Sequence, residues 1–320
     1  MKLAVAVIVL LAVAPVAASG ETWPAKPVRI VAPFAPGGSA DTLGRLVAQR
    51  LGHSLKQQFI VENRAGAGGL LGSEMVARAA PDGYTLVISG IASHVIAPAV
   101  NPNAPFDPLA DFTHIALLGG PPNILVVQRS LGIATLADFI VLAKSKQGRL
   151  SYASPGIGTL GHLAMEILQQ RAGFAAAHVP YRGGALAMGD LIGGHVPAVT
   201  TTLTTAAEHV RAGTVRGLAM TSARRLPEYP DVPTFAELGH PALVATTWFA
   251  LSGPARMPAE IVRRLNAEVI RALREPEIRL RLQRDGIDPE PLDQAAFTAF
   301  FRSEIELWGP VVRASGAKPN

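Results

Sequence analysis

The stretch Val28 to Leu51, VRIVAPFAPGGSADTLGRLVAQRL, decides the reading of this chain. A short apolar run, Val28 to Ala32, stops at Pro33, and a glycine turn follows at Pro36-Gly37-Gly38-Ser39. Leu43, Leu46, Val47 and Leu51 then recur at helical spacing on one face. The order is strand, glycine loop, helix. The first turn of a helix carries N–H groups without intrahelical partners, at the positive end of the helix dipole. Glycines let a ligand come close to those groups. Such a loop can hold an anion without a charged side chain.

A second stretch repeats the pattern. Leu150 to Ala153 reads as a strand, Ser154-Pro155-Gly156-Ile157-Gly158-Thr159 as a glycine turn, and Leu160, Leu163, Ala164, Ile167 and Leu168 as a helix face. Ser154 and Thr159 add hydroxyls that can donate to a carboxylate. Two such loops facing each other would grip a small acid. A third glycine run, Ala65 to Gly69, follows the strand Phe59 to Val61, but it lacks dinucleotide-binding spacing and a Walker lysine. It reads as a turn packed near the cleft.

Between these loops, short apolar runs alternate with helical patterns. Runs at Thr85 to Ile88, His114 to Leu118, Ile124 to Val127, Val196 to Thr200, Val215 to Met220 and Thr247 to Leu251 are separated by helices such as Leu70 to Ala80, Leu136 to Lys146 and Ala185 to Ile192. The alternation predicts an α/β architecture, and continuous apolar runs predict strands of parallel sheets buried on both faces. One sheet would be too large for all of them. Gly119 to Pro122 and Pro241 to Ala245 read as crossings, which places lobe one at 21–121 plus 246–320 and lobe two at 122–245. Phe297, Phe300, Phe301 and Trp308 read as the packing face of C-terminal helices on lobe one.

Composition narrows the function. With 49% hydrophobic and 17% charged residues the chain is expected to be globular. The formal charge of +5 comes without a Lys/Arg block, so nucleic acid is not an expected partner. The absence of cysteine excludes a disulfide scaffold, a thiol nucleophile and Cys-ligated zinc. The histidines show no metal spacing, so no metal or cofactor is expected. Met1-Lys2, the apolar run Leu3 to Val13 and the small residues up to Gly20 have the form of a secretory signal peptide, placed at 1–20. A mature chain outside the cytoplasm, in the periplasm, is the expectation. His162 with Ser154 suggests a hydrolase as an alternative, but no G-x-S-x-G surrounds Ser154, and His162 reads more simply as a local backbone partner. Asp41 reads as a cap of the helix it begins, and Arg182 as a partner either for a ligand carboxylate or for surface acids.

Lys26 to Val31 running into Pro33-Phe34-Ala35-Pro36-Gly37-Gly38 and Asp41 closely resembles the Bug (TctC-type) family. The likeness continues through Glu62 to Gly69, Pro81 to Leu86, Phe106 to Pro108, Tyr152 to Ser154, His162-Leu163, His178 to Gly183, Pro230 to Thr234 and Trp248 to Pro258. Gly44 and Phe106 depart from the family's usual alanine and tyrosine. The resemblance implies a two-lobed, type II periplasmic-binding-protein-like fold with a central ligand cleft. It implies a non-catalytic solute receptor that binds a carboxylate and delivers it to a tripartite tricarboxylate permease, with a sensor feeding a kinase as the alternative. A monomer is expected. The implied ligand-binding residues are Phe34, Ala35, Pro36, Gly37, Gly38, Ser39, Ala40 and Asp41 on lobe one, with Ser89 and Ser93 at a strand end. On lobe two they are Ser154, Gly156, Gly158, Thr159, Tyr181 and Arg182.

Overall fold

The computed structural model describes residues 23–287, 289 and 292–318; the predicted signal peptide lies outside the described residues. Two five-stranded sheets organise the chain. The first has β1 (Val28–Ala32), β2 (Phe59–Asn63), β3 (Thr85–Gly90), β4 (Phe112–Gly119) and β10 (Phe249–Pro254), in the order β2-β1-β3-β10-β4. The second has β5 (Asn123–Gln128), β6 (Ser151–Ser154), β7 (Ala177–Pro180), β8 (Ala198–Thr202) and β9 (Val215–Met220), in the order β7-β6-β8-β5-β9. This is the α/β, two-lobed, type II periplasmic-binding-protein-like architecture.

The sheets are mixed, not wholly parallel as the apolar runs predict. β10 runs antiparallel to β3 and β4, and β5 runs antiparallel to β8 and β9. Topology supplies the reason. The other strands end at the gap between the sheets, so a strand that begins there after a crossing must run the opposite way. Burial on both faces does not reveal direction: Ile124 to Val127 and Ala250 to Leu251 are as buried as Ile30 to Ala32.

Helices cover the sheets. α1 (Ser39–Leu55) buries Leu43, Leu46, Val47 and Leu51 against the first sheet, beside Val262, Leu265, Val269 and Leu273 of α8 (Ala259–Arg274). α2 (Leu70–Ala77) lies on the opposite face with Val31, Val87 and Phe112, and the short α3 (Ala97–Val100) follows β3. On the second sheet, α4 (Leu136–Lys146) and α5 (Leu160–Ala172) pack one face. α6 (Gly184–Gly193) and α7 (Leu203–Arg211) pack the other. After the short α9 (Pro276–Arg284), α10 (Gln294–Ser315) buries Phe297, Phe301 and Trp308 among Ile91, Val95 and Trp248 of the first lobe. The same cluster takes in Leu160 and Leu163 of α5, and Gln170 Nε2 donates to the Ser315 carbonyl at 2.8 Å, so α10 touches both halves. Among the described residues, no helix is long and apolar enough to cross a membrane.

Candidate functional site

Between the two sheets lies a cleft lined from both of them. The loop after β1 contributes Phe34, Gly38, Ser39 and Ala40. The loop after β6 contributes Pro155, Thr159, Leu160 and Gly161. Gly184 comes from the start of α6, and Thr201, Thr202 and Thr205 come from the junction of β8 and α7. Ala92 follows β3, and Asn123, Thr247 and Phe249 belong to the two crossings.

Among the described residues, no Lys, Arg, His, Asp or Glu side chain lines this cleft. Its polarity comes from elsewhere. α1, α5, α6 and α7 all begin at its wall, so four helix N-termini converge there. Each presents first-turn N–H groups and a partial positive charge. The arrangement suits an anion held by main chain and hydroxyls, with Phe34, Phe249, Ala92 and Leu160 as apolar wall.

Different anchors hold the two glycine loops. In lobe one, Gly37 takes a left-handed turn, φ +82°, and its N–H donates to Asp41 Oδ2 at 3.0 Å. Arg45 donates to the same carboxylate from the next turn of α1, at 3.1 Å. Burial alone would raise the Asp41 pKa, but hydrogen bonds from Arg45, Gly37 and Asn63 outweigh it and hold the carboxyl below its ordinary value. Asn63 Nδ2 also donates to the Phe34 carbonyl at 3.0 Å, which fixes the start of the loop.

In lobe two the anchors are neutral. Thr159 caps α5 by accepting from the His162 N–H, and its hydroxyl donates to the Gly156 carbonyl at 2.7 Å. Ser154 Oγ accepts from the Gly156 N–H at 3.2 Å and lies 2.7 Å from His178 Nε2. Parallel pairing of β6 with β7 brings His178 there. The His178 ring stacks on His162 at 4.1 Å and on Tyr152 at 5.0 Å. Tyr152 donates to Glu166 at 2.8 Å. Burial, with the neighbouring His162, pushes the His178 pKa down to about 3, so the ring is neutral at ordinary pH.

The halves also touch directly. The Ala35 N–H donates to the Arg182 carbonyl at 2.9 Å, and Ser39 Oγ lies 2.7 Å from Thr202 Oγ1.

Comparison with known proteins identifies the family. The TctC model, described as Tripartite tricarboxylate transporter family receptor, matches residues 43–317. The chain belongs to this family. Protein BugT of Bordetella pertussis is 36% identical over 301 residues, covering 94% of this chain and 92% of that protein. Among solved structures, R. palustris Rpa4515 with adipate superposes with a TM-score of 0.89 at 33% identity, over 93% of this chain and 100% of that one. MatC (Rpa3494) from Rhodopseudomonas palustris with bound malate superposes with a TM-score of 0.84 at 32% identity, over 91% and 100%.

In this TctC-family receptor, the residues singled out by sequence divide into three groups. Phe34, Gly38, Ser39, Ala40 and Thr159 line the cleft. A second set lies behind the wall. Asp41 holds Gly37, Ser154 and Gly156 hold each other, Ser93 Oγ lies 2.9 Å from His94 Nδ1, and Ser89 Oγ lies 2.7 Å from Ser252 Oγ. The remainder sit at the rim or away from the cleft. Ala35 meets Arg182 through main chain, Tyr181 donates its hydroxyl to Asp190, and the side chain of Arg182 is exposed. Pro36 is exposed, Gly37 lines an outer groove beside α6 and α7, and Gly158 lines a separate hollow with Gly68 and Ala97. His162 makes no bond to Ser154; the histidine that does is His178.

Sequence reasoning passed over two groups of cleft residues. Thr201, Thr202 and Thr205 lie in the run Thr200 to Thr205, TTTLTT, at a strand–helix junction without glycine. Hydroxyls crowded at such a junction are the signal that could have found them. Asn123, Thr247 and Phe249 lie where the chain crosses, and a strand that starts at the cleft necessarily offers its first side chains to it.

Proposed function

We propose that this receptor binds a small carboxylate in the cleft between its lobes and hands it to the membrane permease of a tripartite tricarboxylate transporter, without transforming it. The observation that carries the reading is the convergence of four helix N-termini on a cleft that, among the described residues, has no ionisable side chain. An anion there gains from every terminus, whereas a cation has no carboxylate to pair with. The adipate and malate found in the two superposed structures are carboxylates, which supports the same ligand class. Residues on both lobes contact the guest in the closed form, so binding and closure are coupled. The lobe limits at 121/122 and 245/246 belong to this proposal, as do a monomeric state and export to the periplasm by cleavage of the segment 1–20.

A thermal-shift screen of mono-, di- and tricarboxylates, amino acids and amides tests the reading. A true ligand at a hundredfold excess over Kd adds about 2.7 kcal/mol of stability and raises Tm. Recovery of the ligand unchanged is the expected outcome. No shift with any carboxylate, or turnover of the one that binds, would overturn it.

A further inference from the structure

Among the described residues, one cleft-lining side chain has a buried polar atom that the protein itself leaves without a partner. Ser39 Oγ lies 2.7 Å from Thr202 Oγ1, which lies 2.9 Å from Thr205 Oγ1. Asn123 Nδ2 donates to Thr247 Oγ1 at 2.7 Å, and Thr159 donates to the Gly156 carbonyl. Thr201 differs. It is 0% exposed, it lines the cleft, and its Oγ1 has no partner. Among the described residues, no other cleft-lining side chain has a buried polar atom in that condition. A buried hydroxyl without a partner is costly, so native structures rarely keep one unless something else completes it.

A glycine leaves room beside this hydroxyl. Thr201 stands at the end of β8, beside Gly184, the first residue of α6. A Cβ on Gly184 would lie 2.5 Å from Thr201 Oγ1, so glycine at that position avoids crowding the oxygen. A threonine hydroxyl can donate and accept, and it carries no charge. It therefore complements another neutral polar group, a hydroxyl or an oxo oxygen. An ammonium can use only the hydroxyl's acceptor lone pairs and finds no carboxylate among the described cleft residues. Asp41, in the first turn of α1, is taken up by Gly37 and Arg45 and does not line the cleft, and the converging helix ends oppose a second positive charge.

We infer that the ligand is a hydroxy- or oxo-substituted carboxylate without an amino group, and that Thr201 is the residue that reads the substituent. The inference rests on the carboxylate-receptor reading and narrows it. The helix N-termini take the carboxylate, common to many acids. Thr201 separates those acids by what else they carry.

Calorimetry on the full mature chain, freed of co-purified ligand by unfolding and refolding, tests this with two matched sets. One is succinate, malate and aspartate. The other is butyrate, 2-hydroxybutyrate, 3-hydroxybutyrate and 2-aminobutyrate. A hydroxylated member should bind about tenfold tighter than its parent acid, and the amino member weakest, because a site built to bond a hydroxyl rejects analogues lacking it. Thr201→Val, nearly the same shape, should erase the gap between hydroxylated and parent acids, and Thr201→Ser should keep it. Equal binding of hydroxylated and parent acids would overturn the inference and leave the carboxylate receptor standing. So would tightest binding of an amino member, or a Thr201→Val loss shared equally by all members, which would put the hydroxyl on the carboxylate instead. Failure of every acid to bind would overturn the receptor reading and this inference together.

Discussion

The two glycine loops have the same outline and different foundations. On lobe one, a strand ends, Gly37 turns the chain, and α1 begins under an ionised Asp41 that holds Gly37 and pairs with Arg45. On lobe two, a strand ends, Gly156 and Gly158 turn the chain, and α5 begins under neutral hydroxyls backed by a stack of His178, His162 and Tyr152. Both put helix N-termini at one cleft. The lesson is that the anion site asks only for the backbone path. The side chains that enforce the path can be charged or neutral, and they decide how each half responds to pH.

The largest expected effect concerns where the loops meet the opposite lobe. A Cβ on Gly158 would lie 2.7 Å from Ala97 Cα, and one on Gly68 would lie 2.3 Å from the Ile157 carbonyl oxygen. Gly158→Ala should therefore keep the lobes from reaching their closed spacing. Overpacking of this kind costs about 2 kcal/mol, which is about thirtyfold in Kd. Gly132→Ala is the control. It has a similar φ, +70°, but open space around it, so it should lower stability and leave affinity unchanged. Titration calorimetry and small-angle scattering separate the two. Equal affinity loss in both variants would mean that backbone strain, not lobe contact, is responsible.

Next in size is Asp41→Asn. Loss of the charged acceptor should cost about 1.5 kcal/mol, since hydrogen bonds to ionised groups are among the stronger ones. The pH dependence has a definite sign. The folded-state pKa of Asp41 lies below 3.8, so its contribution is complete above that value and fades as pH falls through the folded pKa. Urea unfolding from pH 7 to pH 3 should show the parent and variant curves converging at the acid end. Curves that stay parallel would mean that Asp41 acts through shape alone.

The smallest effect at neutral pH belongs to lobe two. His178→Gln keeps a nitrogen able to meet Ser154 and removes the titration, so stability at pH 7 should change by less than about 1 kcal/mol. His178 drops from an ordinary 6.5 to about 3 on folding. The unfolded chain therefore takes up a proton first, and stability declines as pH falls from 6.5 toward 3. The variant should show a shallower decline there, by up to about 1.4 kcal/mol per pH unit. An unchanged slope would show that His178 does not titrate differently between the two states.

Much of this was legible in one dimension. The periodicity switch at Ala32 to Ser39 and again at Ala153 to Leu160 marks both strand–loop–helix units, because glycine and the change of period are local signals. The bond between Ser154 and His178 was not legible, because it depends on which strands pair. His162, closer in sequence, faces Glu166 instead, with Nε2 3.8 Å from Oε1. Strand direction was hidden for the same reason. Arg182 looks like a carboxylate partner by residue type, yet what it offers the other lobe is its carbonyl oxygen. The threonines at the end of β8 escaped notice because hydroxyls carry no period and make no turn of their own.

The crossings carry a mechanical consequence. Asn123 and Thr247, joined by a 2.7 Å hydrogen bond, tie the two connecting strands together on the floor of the cleft. On the proposed reading the guest rests where the lobes join, so whatever fills the space beside those strands stiffens the joint. Occupancy and the angle between the lobes would then be a single variable, and a membrane partner that senses only that angle would learn whether cargo is aboard.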